Sequence, residues 1–363
     1  MTDWGMFGTA LLLAWTKSSF VLGMVLFLAA LMTWGERKQS ALMQDRIGAN
    51  RASILGFRLF GLVHIVADGI KMMTKEDFIP PFADKQLFRI APVISAVSAA
   101  LGFLVIPFGP VVPVLGTLVP MVVFRSDIGA LILLAALGLT IFGTFLGGIA
   151  SNNKWATLGA LRAAAQVASY EAALGISLAG IFMIYGSLDL ARIADSQAGC
   201  FSRIPWLPAW GIFLQPFSFL LFAVAAMAEN KRIPFDLPEG EAEIIGYHVE
   251  YSGMRFGLFF MAEMVETVLF SAVITVLFFG GWHLPGLDYA AMPGWKAAGM
   301  ASLVFWGKVV AGCWCFLLVR WSLPRFRFDQ LLNLGWRWLL PLALVNSFVT
   351  AGILLFFRSG AVK

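Results

Sequence analysis

Eight long apolar runs constrain this chain more than any other feature, at approximately 11–34, 90–108, 128–150, 166–186, 210–228, 256–280, 298–319 and 336–357. A helix of about 20 apolar residues crosses the hydrocarbon of a bilayer. In lipid only helices and closed barrels satisfy every backbone polar group, and runs of this length exclude a barrel. Strand patterns are missing, and breakers such as Pro107-Phe108-Gly109-Pro110 and Gly280-Gly281 divide the runs. The chain is 60% hydrophobic and 13% charged, too apolar for one soluble core and its surface. The sequence therefore predicts an all-α integral membrane protein, a single membrane domain over 1–363 with about eight transmembrane helices. Asp3 stands ahead of the first run with no basic leader, so that run is expected to stay as a helix.

Lysine and arginine orient the runs. With eight crossings, segments 35–89, 151–165, 229–255 and 320–337 share one side and carry 18 of the 26 basic residues. The other side carries six, and Lys17 and Lys308 fall within runs. Excess basic charge marks cytoplasmic loops, so both termini are expected outside. Segment 35–89 is too long for a turn. Within it, Gly56 to Met73 reads as a cytoplasmic-side amphipathic helix, with His64, Asp68 and Lys71 stepping by four and three along one face.

The segment from Glu229 to Arg255 is unusually acidic. Glu229, Asp236, Glu239, Glu241, Glu243 and Glu250 face only Lys231, Arg232 and Arg255, six acids against three bases for a net of −3. Crowded, partly desolvated carboxylates raise one another's proton affinity and can pass protons near neutral pH; a solvated acidic loop is the plainer alternative. Ionisable residues inside the runs favour function: Glu171, Glu263, Glu266 and Lys308. A structural ion pair, such as Lys308 with an acid, is the simpler reading there. Glu263 and Glu266 are three apart and share a helical face. Trp34-Gly35-Glu36-Arg37-Lys38 ends the first run and has a plain reading as a snorkelling cluster.

No metal or nucleotide site is legible. Cys200, Cys313 and Cys315 do not form a ligand set, and no His, Cys, Asp and Glu group has metal spacing. Gly-rich phosphate loops, a nucleophile elbow and iron–sulfur cysteine runs are all missing from the sequence.

Several stretches together are specific. Gly35-Glu36-Arg37-Lys38, Met43 to Arg51, Ala67-Asp68-Gly69-Ile70-Lys71, Thr74 to Pro80, Ala228 to Glu243, Glu250 to Gly253, Phe259 to Glu263 and Leu323 to Leu331 occur in order along nearly the whole chain. They resemble the H subunit of bacterial NADH-quinone oxidoreductase, the quinone-site membrane subunit of respiratory complex I and the family of mitochondrial NADH dehydrogenase subunit 1. The chain departs from that pattern at Ala49, where the family usually has Pro, and at His64-Ile65, where it has Gln-Pro.

The resemblance implies eight helices with both ends outside, in the bacterial inner membrane. It implies a subunit that walls the quinone cavity and binds no redox centre of its own. Quinone is the substrate, and NADH, FMN and iron–sulfur clusters belong to partner subunits. Partners are hydrophilic-arm quinone-site subunits, small membrane-arm subunits and membrane lipid. Residue by residue, it implies quinone-cavity roles for Glu36, Arg37, Ala67, Asp68 and Arg232. Glu171, Glu229, Glu239, Glu241 and Glu263 would form an acidic proton path toward the pumping subunits, with Arg232 between cavity and path. Glu266 lies one turn deeper, outside the matching stretches, and is expected to matter less.

Energy-converting hydrogenases carry a homologous subunit, and stand-alone proton transporters or passive anchors form other classes. The intact 67–71 and 74–80 stretches and the Pro234 to Glu243 loop favour the NADH-quinone type. A transporter would be expected to show inverted repeats and broken helices near the midplane. An anchor would not need Glu171, Glu263, Glu266 and Lys308.

Overall fold

A computed structural model of the protein describes residues 3–54, 56–114, 117–201, 204–240, 244, 246–287, 289 and 292–360. Helix α1 (Asp3–Met43) is followed by a short α2 (Val63–Thr74) and then α3 (Lys85–Leu101), which a 3-10 turn extends through Val105. Next come α4 (Gly129–Ala150), α5 (Lys154–Tyr185) and the short α6 (Leu190–Ser196) and α7 (Gly211–Leu214). The bundle is completed by α8 (Pro216–Glu229), α9 (Gly253–Phe278), α10 (Gly294–Ser322), the short α11 (Phe328–Asn333) and α12 (Leu340–Gly360). A π-helical turn over Leu334–Leu339 joins α11 to α12. Seven helices among the described residues are long and apolar enough to cross a membrane, and α8 is a shorter apolar one. All eight coincide with the eight runs.

The ends of these helices obey ordinary capping chemistry. Asp84 accepts hydrogen bonds from the Gln86 and Leu87 amides to start α3, and Asn153 accepts one from Trp155 to start α5. Gly186 in the left-handed region closes α5. Small residues let the helices meet closely, as in other membrane bundles. At Gly143 of α4 a Cβ would lie 2.6 Å from Ser95 of α3, so only glycine permits that crossing. Helix α9 is the centre of the bundle: 89% of an 18-residue apolar stretch within it is buried, against 17% of such a stretch in α1 and in the last span.

Three expectations are corrected. First, two small antiparallel hairpins exist, β1–β2 (Val111–Val114 with Thr117–Pro120) and β3–β4 (Cys200–Phe201 with Ile204–Pro208). They are too short for alternation to register, and they leave the fold all-α. Second, the amphipathic helix begins at Val63 rather than Gly56, because Gly56, Leu59, Phe60 and Gly61 all have positive φ and cannot continue an α-helix. Third, the alternative of an ion pair for Lys308 is not met among the described residues: its ammonium donates to the carbonyls of Phe279, Gly281 and His283 at 2.7, 3.0 and 2.6 Å, with the Trp210 ring 4.6 Å away. Carbonyls freed at and after the end of α9 hold this half-buried cation.

Candidate functional site

Alternating crossings gather the described residues of 44–84, 151–153, 230–252 and 323–327 at one end of the bundle, and the site lies there. Helix α1 continues past its apolar run to Met43, so Glu36 and Arg37 are helical neighbours that point about 100° apart. Arg37 turns toward α2, where it forms a salt bridge with Asp68. Glu36 turns toward the bundle. Its Oε1 accepts a hydrogen bond from Arg232 Nη1 at 2.5 Å and another from Arg320 Nη1 at the end of α10. A cavity of about 470 Å³ opens beside this pair, bounded by Glu36, Arg37, Arg46, Ala49, His64 and Trp321 among others. The two departures from the family pattern therefore meet there. The His64 ring lies 3.1 Å from the Gly61 carbonyl and accepts from the Ala52 amide, and a Cβ on Gly61 would collide with the Ala49 carbonyl.

The loop after α8 is held by buried polar bonds. Gln166 of α5 donates to the carbonyls of Ala228 and Phe235 at 2.6 and 2.8 Å. Asn230 donates to Thr267 of α9, and Arg325 donates to Asp236 at 2.6 Å. This fixes Arg232, which is buried, between two carboxylates: Glu36 on one side and Glu263 Oε2, 3.5 Å away, on the other. Tyr247 donates to the second Glu263 oxygen at 3.0 Å. Glu239 shares a hydrogen bond with Glu263 as well.

Electrostatics follow from this packing. Burial alone would lower the Arg232 guanidinium, but Glu36, Glu263, Glu239 and Asp236 more than offset it and hold the group charged. Burial first, and the Glu263 carboxylate second, push Glu239 well above the usual carboxylate range. Burial also raises Asp236, opposed by its partner Arg325. The Tyr247 phenol is pushed far up by burial and by Glu263, so it keeps the proton that it donates to Glu263.

A second acidic group lies behind the first. Glu229, at the end of α8, is 3% exposed, and neither of its oxygens has a hydrogen-bond partner among the described residues. Glu171, Glu266 and Lys231 are the charged groups acting on it. Glu171 projects from α5 against Gly138 of α4, where a Cβ would come within 2.5 Å of Oε1. Lys231 Nζ stands 3.8 Å from Glu266 Oε2. Buried charge on this scale is stable only when it is paired or neutralised by protons.

Comparison with known proteins decides what kind of chain carries this arrangement. The sequence profile of the NADH dehydrogenase family matches residues 16–351. An NADH-quinone oxidoreductase H subunit of Geobacter metallireducens is 43% identical over 340 residues, covering 93% of this chain and 95% of its own. The H subunit of Thermomicrobium roseum is 41% identical over 356 residues, 97% of this chain and 98% of its own. An H subunit of Cytophaga hutchinsonii is 40% identical over 333 residues, 92% and 94% of the two. The chain belongs to the NADH-quinone oxidoreductase H-subunit family.

Within this H-subunit chain, the structure brings Glu36, Arg232, Glu239 and Glu263 into one network and Glu171 and Glu229 into the group behind it. Arg37 and Asp68 pair on the rim of the cavity side. Ala67 is exposed on α2 and is not among the residues that bound the cavity. Glu241 lies outside the described residues. Sequence reasoning missed Arg320 and Tyr247 and gave Lys231 no role. Arg320 reads as a helix-end basic residue, and Tyr247 as an ordinary loop aromatic. Among the described residues no group of His, Cys, Asp and Glu is arranged to hold a metal ion.

Proposed function

We propose that this chain is the quinone-cavity and coupling subunit of a proton-pumping NADH-quinone oxidoreductase. The carrying observation is Arg232, one guanidinium within reach of both Glu36 beside the cavity and Glu263 at the head of the acidic groups. Glu36, Arg37, Ala67, Asp68 and Arg232 line or border the quinone path, an apolar slot with few polar groups. Electrons come from iron–sulfur clusters in partner subunits of the hydrophilic arm, which also hold NADH and FMN. Small membrane-arm subunits receive the coupling signal. The basic end faces the cytoplasm of a bacterial inner membrane and both termini lie outside, supported by the 18-to-6 division of basic residues.

Quinone reduction adds negative charge to the cavity before protons arrive. That charge draws Arg232 toward Glu36 and leaves Glu263 less compensated. The proton shared with Glu239 then moves onto Glu263, and the vacancy at Glu239 is refilled from the aqueous side. Glu229 and Glu171, with Glu241, carry the shift onward into the bundle. The test is NADH-driven proton uptake in membranes bearing Glu229→Gln, Glu239→Gln or Glu263→Gln, with artificial-acceptor activity as assembly control. Coupled quinone reduction and proton uptake should fall together while acceptor activity is kept. Wild-type pumping in all three variants would reduce the acidic loop to a solvated face.

A further inference from the structure

The buried lysine is the feature this scheme leaves unused. Lys231 follows the end of α8 at the position where a chain leaving a helix commonly turns left-handed, and its φ is +55. Glycine or asparagine is the usual residue there. A lysine accepts the strain only where its side chain is held by its surroundings. Here that side chain is 1% exposed, points into the bundle, and its ammonium makes no hydrogen bond among the described residues. Glu266 is its nearest carboxylate among the described residues, at 3.8 Å and itself 3% exposed, with Glu229 and Glu263 also acting on it.

Counting charges separates two groups. Glu36 and Glu263 are balanced by Arg232 and Arg320, Asp236 by Arg325, and Glu239 holds a proton that it shares with Glu263. Behind them, among the described residues, Glu171, Glu229 and Glu266 face a single cation, Lys231. Glu229 and Glu266 are buried and Glu171 half-buried, so the group does not hold two uncompensated negative charges. Three carboxylates with one ammonium are neutral when two of them are protonated and one is empty. That empty carboxylate is what permits a proton to move, because a fully protonated chain has nowhere to pass one.

We infer that Lys231 is a positioning residue of the relay, the fixed charge that keeps one of Glu171, Glu229 and Glu266 unprotonated. The inference rests on the coupling role proposed above. A plain structural ion pair makes a different prediction: either single variant leaves one charge unpaired and harms the protein, and removal of both restores it. If Lys231 sets the proton count, losing it fills every carboxylate, and the additional loss of Glu266 cannot reopen a vacancy.

The experiment compares Lys231→Met, Glu266→Gln and the double variant in the intact complex, reading NADH:quinone activity, proton uptake and artificial-acceptor activity. Lys231→Met should cut coupled activity about a hundredfold, the scale of a lost proton-transfer step, with acceptor activity kept. Glu266→Gln should lower it less, and the double variant should stay as low as Lys231→Met. Recovery of the double variant toward wild type overturns the inference, as does normal coupling in Lys231→Met. If Lys231→Met yields no assembled complex, the double variant decides by the same reading, since it buries no unpaired charge. Glu229→Gln is measured alongside. Normal coupling in that variant defeats the relay itself, whereas impaired coupling with an active double variant defeats only the role of Lys231.

Discussion

Arg232 and Glu36, 196 positions apart in sequence, meet at 2.5 Å where the end of α1 touches the loop after α8. The contact joins two stretches with no local reason to meet, and a third, Arg320 of α10, shares the same carboxylate oxygen. Both guanidiniums are largely out of water, so each needs the carboxylate more than a surface pair would. The outcome is a junction between cavity and acidic groups that responds to charge on either side.

The membrane orientation has a direct readout. Single cysteines placed near Arg51 should react with an impermeant thiol reagent only from the cytoplasm, and one near Asp195 only from outside. Reversed accessibility would invert the assignment of sides.

The slot beside α2 can be blocked without disturbing this chain. Ala67 is exposed, and a Cβ on Gly69 meets nothing within 4 Å. Tryptophan at either position should therefore leave the subunit folded while impairing quinone reduction and quinone-site inhibitor binding. Artificial-acceptor activity should persist. Unchanged inhibitor affinity in both variants would remove α2 from the quinone path.

Glu239 should leave a signature in the pH dependence of stability. Its folded carboxyl holds its proton well above the usual range, chiefly through burial and then Glu263. The folded state thus binds a proton that the unfolded chain has already released. Its contribution is complete below the ordinary glutamate range and is lost as pH rises through the folded value. Glu239→Gln, which imitates the protonated form, should flatten the alkaline decline in the thermal stability of the purified complex. An identical alkaline limb would contradict the assignment.

At the opposite end, Lys308 should act as a clasp. Its three carbonyl bonds hold the segment after α9, and hydrogen bonds to charged groups are worth about 1.5–3 kcal/mol each. Lys308→Met should speed hydrogen exchange over residues 279–283 and lower the melting temperature, with coupling largely intact. Unaltered exchange there would show that the carbonyls find other partners.

Much of this was legible in the residues. Hydropathy sets the eight spans because lipid demands long apolar helices, and Glu229, Glu239, Glu263 and Arg232 stand out as charges near or within them. The pairing was not legible. Arg320 and Glu36 are 284 positions apart, and nothing local in either announces the other. Lys231 looks like one more loop cation until the left-handed turn aims it inward. Gly56 to Leu62 carries helical apolar spacing, yet positive φ at four positions breaks it, a backbone choice that periodicity does not record.

The central claim is that Arg232 links the quinone cavity to the acidic groups, and substituting that residue tests it most directly. Lysine is a point charge and cannot reach two carboxylates through a planar fork. In proteoliposomes, complex bearing Arg232→Lys should assemble and oxidise NADH with an artificial acceptor at near wild-type rates. Its inhibitor-sensitive quinone reduction and its proton translocation should both be severely depressed, in the same proportion. Wild-type quinone reduction with full proton translocation in that variant would contradict the account.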